Sequence, residues 1–216
     1  MNIIVKSYGT GAFYCRPDTS WEREDKDLYL PDPVSGYLWT PVLFARISKA
    51  GKCIGRKFSG RYYDAVNYGI LLYIKDMLIP GRSCAGPGPG AHFAAASCAD
   101  HTSVLPFPMY DKVTLEDGTN IFSVSKDGKE IYSTSEGSYE IIEDALSQAS
   151  GLISLRIGDI LAVELREMSM LADFAARQNA PDPAAGTPGT SSTEISGTFC
   201  GNELFRFKMI KMSPRP

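Results

Sequence analysis

The stretch that most constrains this chain is DGKEIYSTSEGSYEIIEDALSQASGLISLRIGDILAVEL, from Asp127 to Leu165, because several independent signals agree there. Asp127-Gly128 separates Asn120–Ser125 from Lys129–Ser133, two runs that alternate apolar and polar residues. That pattern predicts a two-residue hairpin turn whose glycine takes a positive φ. Ser138 is placed to cap a helix in which Ile142, Ala145, Leu146 and Ala149 recur at i, i+3, i+4 and i+7. Glu140 sits in the first turn of that helix, and Gly151 stands where it should end. One face of the helix must therefore be buried. Leu155-Arg156-Ile157-Gly158-Asp159 then turns the chain into an apolar, β-branched strand, Ile160–Leu165. Hairpin, short helix, Gly-Asp turn and strand, in that order, predict an α+β domain that is mainly β.

The 216 residues, 44% of them hydrophobic and 11% aromatic, suffice for one core, so residues 1–216 are expected to form a single domain. A net charge of −3 without a basic run argues against nucleic acid and against an anionic membrane surface, both of which require clustered Lys and Arg. No run approaches the roughly 18 apolar residues of a membrane helix. The first residues, MNIIVKSYGTG, lack a charged segment followed by an apolar one, so a cytoplasmic protein is expected. The cysteines, Cys15, Cys53, Cys84, Cys98 and Cys200, contain no C-x-x-C and read as free thiols. Cys98 alone has a histidine and an aspartate close in sequence, His101 and Asp100.

Along the chain, Ile3–Val5 reads as a strand, and residues 1–40 otherwise read as an arm or surface loop rich in charge and proline. Its Glu22-x-Glu24 pair has the spacing of two metal carboxylates on one strand face, but a run of mixed charge is more often a solvated loop. Strands are expected over Tyr37–Ile47, Lys52–Phe58 and Ala65–Ile74. PGRSCAGPGPGAHF, from Pro80, excludes regular structure and lacks the Lys and helix start of a phosphate loop. A meander is expected over Asp111–Leu115, Asn120–Ser125 and Lys129–Ser133. Residues 173–198 form a low-complexity insertion, and Glu203–Met209 an alternating last strand.

The 127–165 series resembles the C-terminal half of the fumarylacetoacetate hydrolase family, in which an N-G-E-type hairpin, a short helix and an L-x-x-G-D-x-I strand follow one another. Pro41-Val42-Leu43-Phe44-Ala45-Arg46 resembles that family's P-V-L-F-x-K strand, and Tyr63-Asp64 followed by Ile70–Ile74 is similar to its D-Y-E-x-E-L-A-V-V-I-G strand. The resemblance implies mixed β-sheets curled around one core, and a dimer for which the Glu203–Met209 edge is the candidate surface. It also implies a divalent cation, Mg²⁺, Mn²⁺ or Ca²⁺, held by a Glu-x-Glu pair and an Asp, with a downstream Lys binding substrate. Such a hard cation wants several carboxylate oxygens at short range, and it activates a carbonyl-bearing acid as a Lewis acid.

This chain departs from that pattern at the pair itself. Aligning Ile70–Ile74 with the L-A-V-V-I run puts Asn67 and Gly69 where the glutamates belong. Ala99-Asp100-His101-Thr102 resembles the N-D-V-S/T segment, which makes Asp100 the one candidate metal ligand and, with Asn67, a candidate substrate contact. His101 and Lys112 are the candidate catalytic residues; Asp100 with His101 reads equally well as a hydrogen-bonded pair at a strand end. The expectation is a family-like protein that has lost the metal-dependent chemistry, needs no cofactor, and binds a small carboxylate or carbonyl ligand or a protein partner. The alternative is a divalent-metal-dependent hydrolase, isomerase or decarboxylase of short dicarbonyl or 2-oxo acids, with ligands moved to positions such as Asp64, Asp100 and His101.

Overall fold

Two strands of 12 residues each, β5 (Gly36–Ile47) and β6 (Tyr63–Ile74), form the centre of the computed structural model, which describes residues 1–78, 89–115, 120–175 and 191–212. Both are buried along nearly their whole length, which is why they read as continuous apolar runs and not as alternating ones. Around them lie β1 (Ile3–Lys6), β2 (Phe13–Arg16), β3 (Trp21–Glu22), β7 (Ser103–Val104) and β10 (Ile160–Glu164) in the order β2-β1-β10-β5-β6-β7-β3. A further strand, β11 (Ser169–Asp173), pairs with the first residues of β5, while β10 pairs with the later ones. Pro41 falls where β5 changes partner: its carbonyl accepts the Leu165 N–H, so the N–H it lacks faces the same gap.

The second sheet contains β4 (Leu28–Tyr29), β8 (Phe122–Lys126), β9 (Lys129–Thr134), β12 (Ser191–Phe199) and β13 (Asn202–Lys211), in the order β4-β13-β12-β8-β9. The two sheets meet through aromatic rings. Tyr68 stacks on Phe122 at 4.7 Å between centroids and lies 4.9 Å from Phe199, and Trp39 meets Tyr132 edge-on. Three α-helices lie among the described residues: α1 (Lys75–Leu78), α2 (Pro89–Ser97) and α3 (Tyr139–Leu152). Helix α3 buries Ile142, Ala145, Leu146 and Ala149, the face that its periodicity marks.

The Asp127–Leu165 stretch folds in the expected order. Asp127 and Gly128 take φ of 49° and 77°, the pair of positive values that the two-residue turn requires. At the Gly-Asp turn, Gly158 takes φ 88° and the buried Asp159 carboxylate accepts from the N–H groups of Arg156 and Asn2. One side chain thus closes the turn and fixes the start of β10 against β1. Ser138 does precede α3, but its side chain makes no capping bond, and Gly151 lies inside the helix, which ends one residue later.

Other expectations fail for local reasons. Lys52–Phe58 is not a strand: Gly51 makes one bridge to Leu155, and Arg56–Arg61 winds into a 3₁₀ helix. Nor is Asp111–Leu115 one. The Asp111 side chain accepts the Val113 N–H and its carbonyl accepts from Thr114, bending the chain into a 3₁₀ turn over Lys112–Leu115. The arm of residues 1–40 is not a solvated loop, since β2, β3 and β4 enter both sheets and Arg16, Trp21 and Glu22 are buried. The 173–198 insertion is shorter than its composition suggests: Ser191–Thr198 belongs to β12, and residues 176–190 lie outside the described residues.

The last strand, β13, is not a free edge either. Residues 28–29 run parallel to Met209 and Ile210, and the carboxylates of Asp25 and Asp27 accept the outward N–H groups of Arg206 and Lys208. The acidic arm therefore satisfies the donors that would otherwise invite another strand.

Candidate functional site

Asn67 and Gly69 lie on one face of β6, as residues two apart on a strand must. Neither is available to a cation. Asn67 is 1% exposed, and its amide is fixed in place: Nδ2 donates to the carbonyls of Pro108 at 2.9 Å and Pro106 at 3.3 Å, while Oδ1 accepts the Tyr68 N–H at 2.8 Å. A Cβ on Gly69 would come 2.3 Å from the Val104 carbonyl oxygen and 3.0 Å from Leu105 Cδ2. The segment 104–108 thus packs directly onto the face from which a Glu-x-Glu pair would project.

Asp100 is exposed, unlike Asn67, and no three His, Cys, Asp or Glu among the described residues are grouped to hold an ion. The described residues do not fit a divalent cation, which needs two or more carboxylates converging. Asp64 is committed elsewhere: Arg46 donates to both its oxygens, at 3.0 and 2.8 Å. Lys112 Nζ donates to the Gly60 carbonyl at 3.2 Å and lies 5.5 Å from the Tyr63 ring, so it braces the 3₁₀ helix and does not line the cleft that holds His101. The Cys98 thiol donates to the Ala95 carbonyl; Cys15, Cys53, Cys98 and Cys200 are free and exposed.

What the structure does bring together is Asp100, His101 and the arm. A cleft of ≈ 370 Å³ is lined by Lys26, Asp27, Tyr29, Tyr37, Asp100 and His101, among others. His101 takes φ 59°, a left-handed conformation that costs a non-glycine residue energy and is held here by the structure around it. Its N–H donates to the Thr19 carbonyl at 3.3 Å, and its Nδ1 lies 2.7 Å from Glu22 Oε2. Glu22 is itself fixed, because its Oε1 accepts the N–H groups of Arg23 and Glu24 and its carbonyl accepts the Leu105 N–H.

The pairing of β3 with β7 sets this geometry. Trp21 registers with Ser103 and Glu22 with Val104, Ser20 and Ser103 share a hydroxyl bond of 2.9 Å, and the Trp21 indole N–H donates to the Leu105 carbonyl. An imidazole whose Nδ1 is bound to a carboxylate presents Nε2 outward, as an acceptor when neutral and a donor when protonated. Sequence reasoning named His101 but missed Glu22 as its partner. The signal that could have found it is Trp21, a large apolar residue that anchors an otherwise charged run. Glu24, the other member of that pair, is exposed and bound to Lys26.

The architecture matches solved structures closely even though the sequences have diverged. The chain aligns over 95% of its length, and 91% of the other's, with a protein assigned to the fumarylacetoacetate hydrolase family from Yersinia pestis CO92, at 12% identity and a TM-score of 0.69. It aligns over 99% with a fumarylpyruvate hydrolase from Pseudomonas aeruginosa in complex with Mn²⁺ and pyruvate (90% of that chain, 14% identity, TM-score 0.70). It aligns over 97% with a 5-carboxymethyl-2-hydroxymuconate delta-isomerase from Mycobacterium smegmatis (77% of that chain, 11% identity, TM-score 0.66). Neither a protein-family model nor a curated protein sequence matches the chain. The class is therefore that of α+β proteins with the fumarylacetoacetate hydrolase fold, and this chain is a divergent instance of that fold. No helix among the described residues is long and apolar enough to cross a membrane.

Proposed function

We propose that the protein binds a small carboxylate- or carbonyl-bearing acid in the cleft beside His101 and does so without a divalent cation. The observation that carries this reading is the buried Glu22 carboxylate 2.7 Å from His101 Nδ1, which holds the ring at the cleft with Nε2 directed away from the pair. His101 then hydrogen-bonds a ligand oxygen from a cleft whose one lysine among the lining residues, Lys26, is paired with Glu24. The buried, fixed amide of Asn67 and the crowded position 69 support the absence of metal-dependent chemistry. The alternative, a cation held by Asp64, Asp100 and His101, loses support from the Arg46–Asp64 ion pair and from the absence of a three-ligand group among the described residues.

Pyruvate, which the Pseudomonas neighbour holds together with Mn²⁺, is the natural probe. Isothermal titration in EDTA should show pyruvate binding, weakened about tenfold or more in His101→Ala, as expected for one lost charge-assisted hydrogen bond. Binding that requires added Mn²⁺ would refute the reading and restore the metal-dependent alternative. No binding in either condition would remove the small-acid assignment altogether.

A further inference from the structure

The first sheet is curled so far that its β2 edge reaches the far side, and a single side chain spans the gap. Arg16 Nη2 donates to the Leu72 carbonyl at 2.8 Å, to Thr102 Oγ1 at 2.7 Å and to the Thr102 carbonyl at 3.2 Å. Arg16 is 1% exposed. A guanidinium carries five N–H donors, no acceptor, and a charge that it does not lose in a protein. Here Nε and Nη1, which bear three of those donors, find no acceptor among the described residues.

The charge also has no direct ion-pair partner. No carboxylate among the described residues forms an ion pair with Arg16. Glu164 brings a carboxylate to the same interior, but its oxygens are turned to other donors: Oε1 accepts from the Tyr14 and Tyr73 hydroxyls at 2.8 and 2.6 Å and Oε2 from the Tyr8 N–H at 2.9 Å, so it balances charge without completing the Arg16 donors. Burying a charge and leaving its donors unpaired is strongly destabilising, and such groups persist where a ligand, ion or water completes them.

The surroundings narrow the choice. The guanidinium lies 5.0 Å from the centre of the Tyr73 ring, and Phe93 of α2 meets Tyr14 edge-on at 4.9 Å and Tyr73 at 5.8 Å. Tyr14 and Phe93 are half-buried, so this aromatic wall reaches solvent. One end offers cationic donors, and the sides offer ring faces and edges. That combination suits a carboxylate on a short carbon stem: its oxygens accept charge-assisted hydrogen bonds, and its stem packs against the rings.

We propose that the interior of the curled sheet beside Arg16 is a binding site for a short-chain carboxylate. It is separate from the His101 cleft, which none of Arg16, Tyr14, Tyr73 and Phe93 lines. Thr102 divides the two, turning its carbonyl and hydroxyl towards Arg16 while the preceding His101 is tied to Glu22.

The test uses the whole native protein. Its unfolding temperature is followed in acetate and in chloride at matched ionic strength, because a ligand that binds only the folded state raises it with concentration. Acetate should raise it beyond chloride, Arg16→Lys should abolish that difference, and His101→Ala should leave it intact. The His101→Ala arm separates this site from the cleft, so either assignment can fail without the other. Equal shifts with both salts would mean an adventitious ion only and would overturn the proposal; so would an acetate effect that survives Arg16→Lys. Because Arg16 also closes the sheet, Arg16→Lys could fail to fold, and a crystal structure of the native protein in formate provides the second measurement. Formate against Nη1 or Nε supports the site, and water alone at both nitrogens overturns it.

Discussion

Installing glutamate at both Asn67 and Gly69 restores the Glu-x-Glu pair on paper, and it is the perturbation that most sharply separates sequence logic from structure. Replacing the Asn67 amide with a carboxylate strips the Pro106 and Pro108 carbonyls of their donor, sets carboxylate oxygens against them, and shifts the acceptor of the Tyr68 N–H by one methylene. Leaving such buried groups unsatisfied costs about 1–3 kcal/mol, and an introduced carboxylate adds its own desolvation. At position 69 any Cβ must displace the Val104 carbonyl from 2.3 Å. That carbonyl belongs to β7, whose Val104 is in register with Ile70 of β6 and with Glu22 of β3, so it cannot retreat without loosening both pairings. Overpacking of this kind costs about 1–3 kcal/mol. The two sites share neighbours, so their costs do not simply add, and a total of about 3–5 kcal/mol is expected. For a domain of this size that corresponds to a fall of roughly 6–20 °C in unfolding temperature. Urea denaturation with and without Mn²⁺ is the assay. A double variant as stable as the native protein, or one that Mn²⁺ stabilises by several degrees, would refute the argument that segment 104–108 occupies this position.

Other outcomes follow from the same contacts. Burial pushes the Tyr37 phenol from its ordinary 10.0 up to about 12, and it raises Tyr14, Tyr63, Tyr68, Tyr73 and Tyr132 in the same direction. The folded state keeps these protons where the unfolded chain loses them, so their contribution is intact below pH 10 and is lost as pH rises towards 12 and beyond. Phenolate absorbance should therefore appear together with loss of circular dichroism; titration of these rings in a still-folded protein would contradict their burial. Glu22→Ala removes the partner of His101 and the acceptor of two backbone N–H groups, so it should cost about 1–3 kcal/mol and speed proteolysis of the arm; a cleavage rate matching the native protein would contradict the arm's docking. Asp64→Asn breaks only a half-exposed ion pair and should cost less than about 1 kcal/mol, whereas a larger loss would point to a role beyond Arg46.

The parts of the fold legible in the sequence are those governed by local rules. The Asp127-Gly128 turn, the α3 face and the Gly158-Asp159 turn each follow from residues within one or two turns of chain, and the apolar runs of β5 and β6 announce burial on both faces. The arm was not legible. Arg16 finds Leu72 and Thr102 across separations of 56 and 86 residues, and Glu22 finds His101 across 79, so their burial depends on contacts that no window contains. The two failed strands show a different limit, since Asp111 reaches its own backbone and overrides the alternation that follows it. At the candidate site, the sequence singled out Asn67, Gly69, Asp100 and His101, and the structure puts Asp100 and His101 at the cleft while Asn67 and Gly69 lie under segment 104–108. What the sequence could not show is that segment 104–108 packs over Gly69 and that the Asn67 amide clamps it there.

We propose that this fold is maintained here without a divalent cation, and metal content tests the proposal most directly. Protein purified without chelator should contain no stoichiometric Mg, Mn or Ca by elemental analysis, and Mn²⁺ titrated into it should leave its unfolding temperature unchanged. About one such ion per chain, lost on Asp100→Ala, would contradict the account.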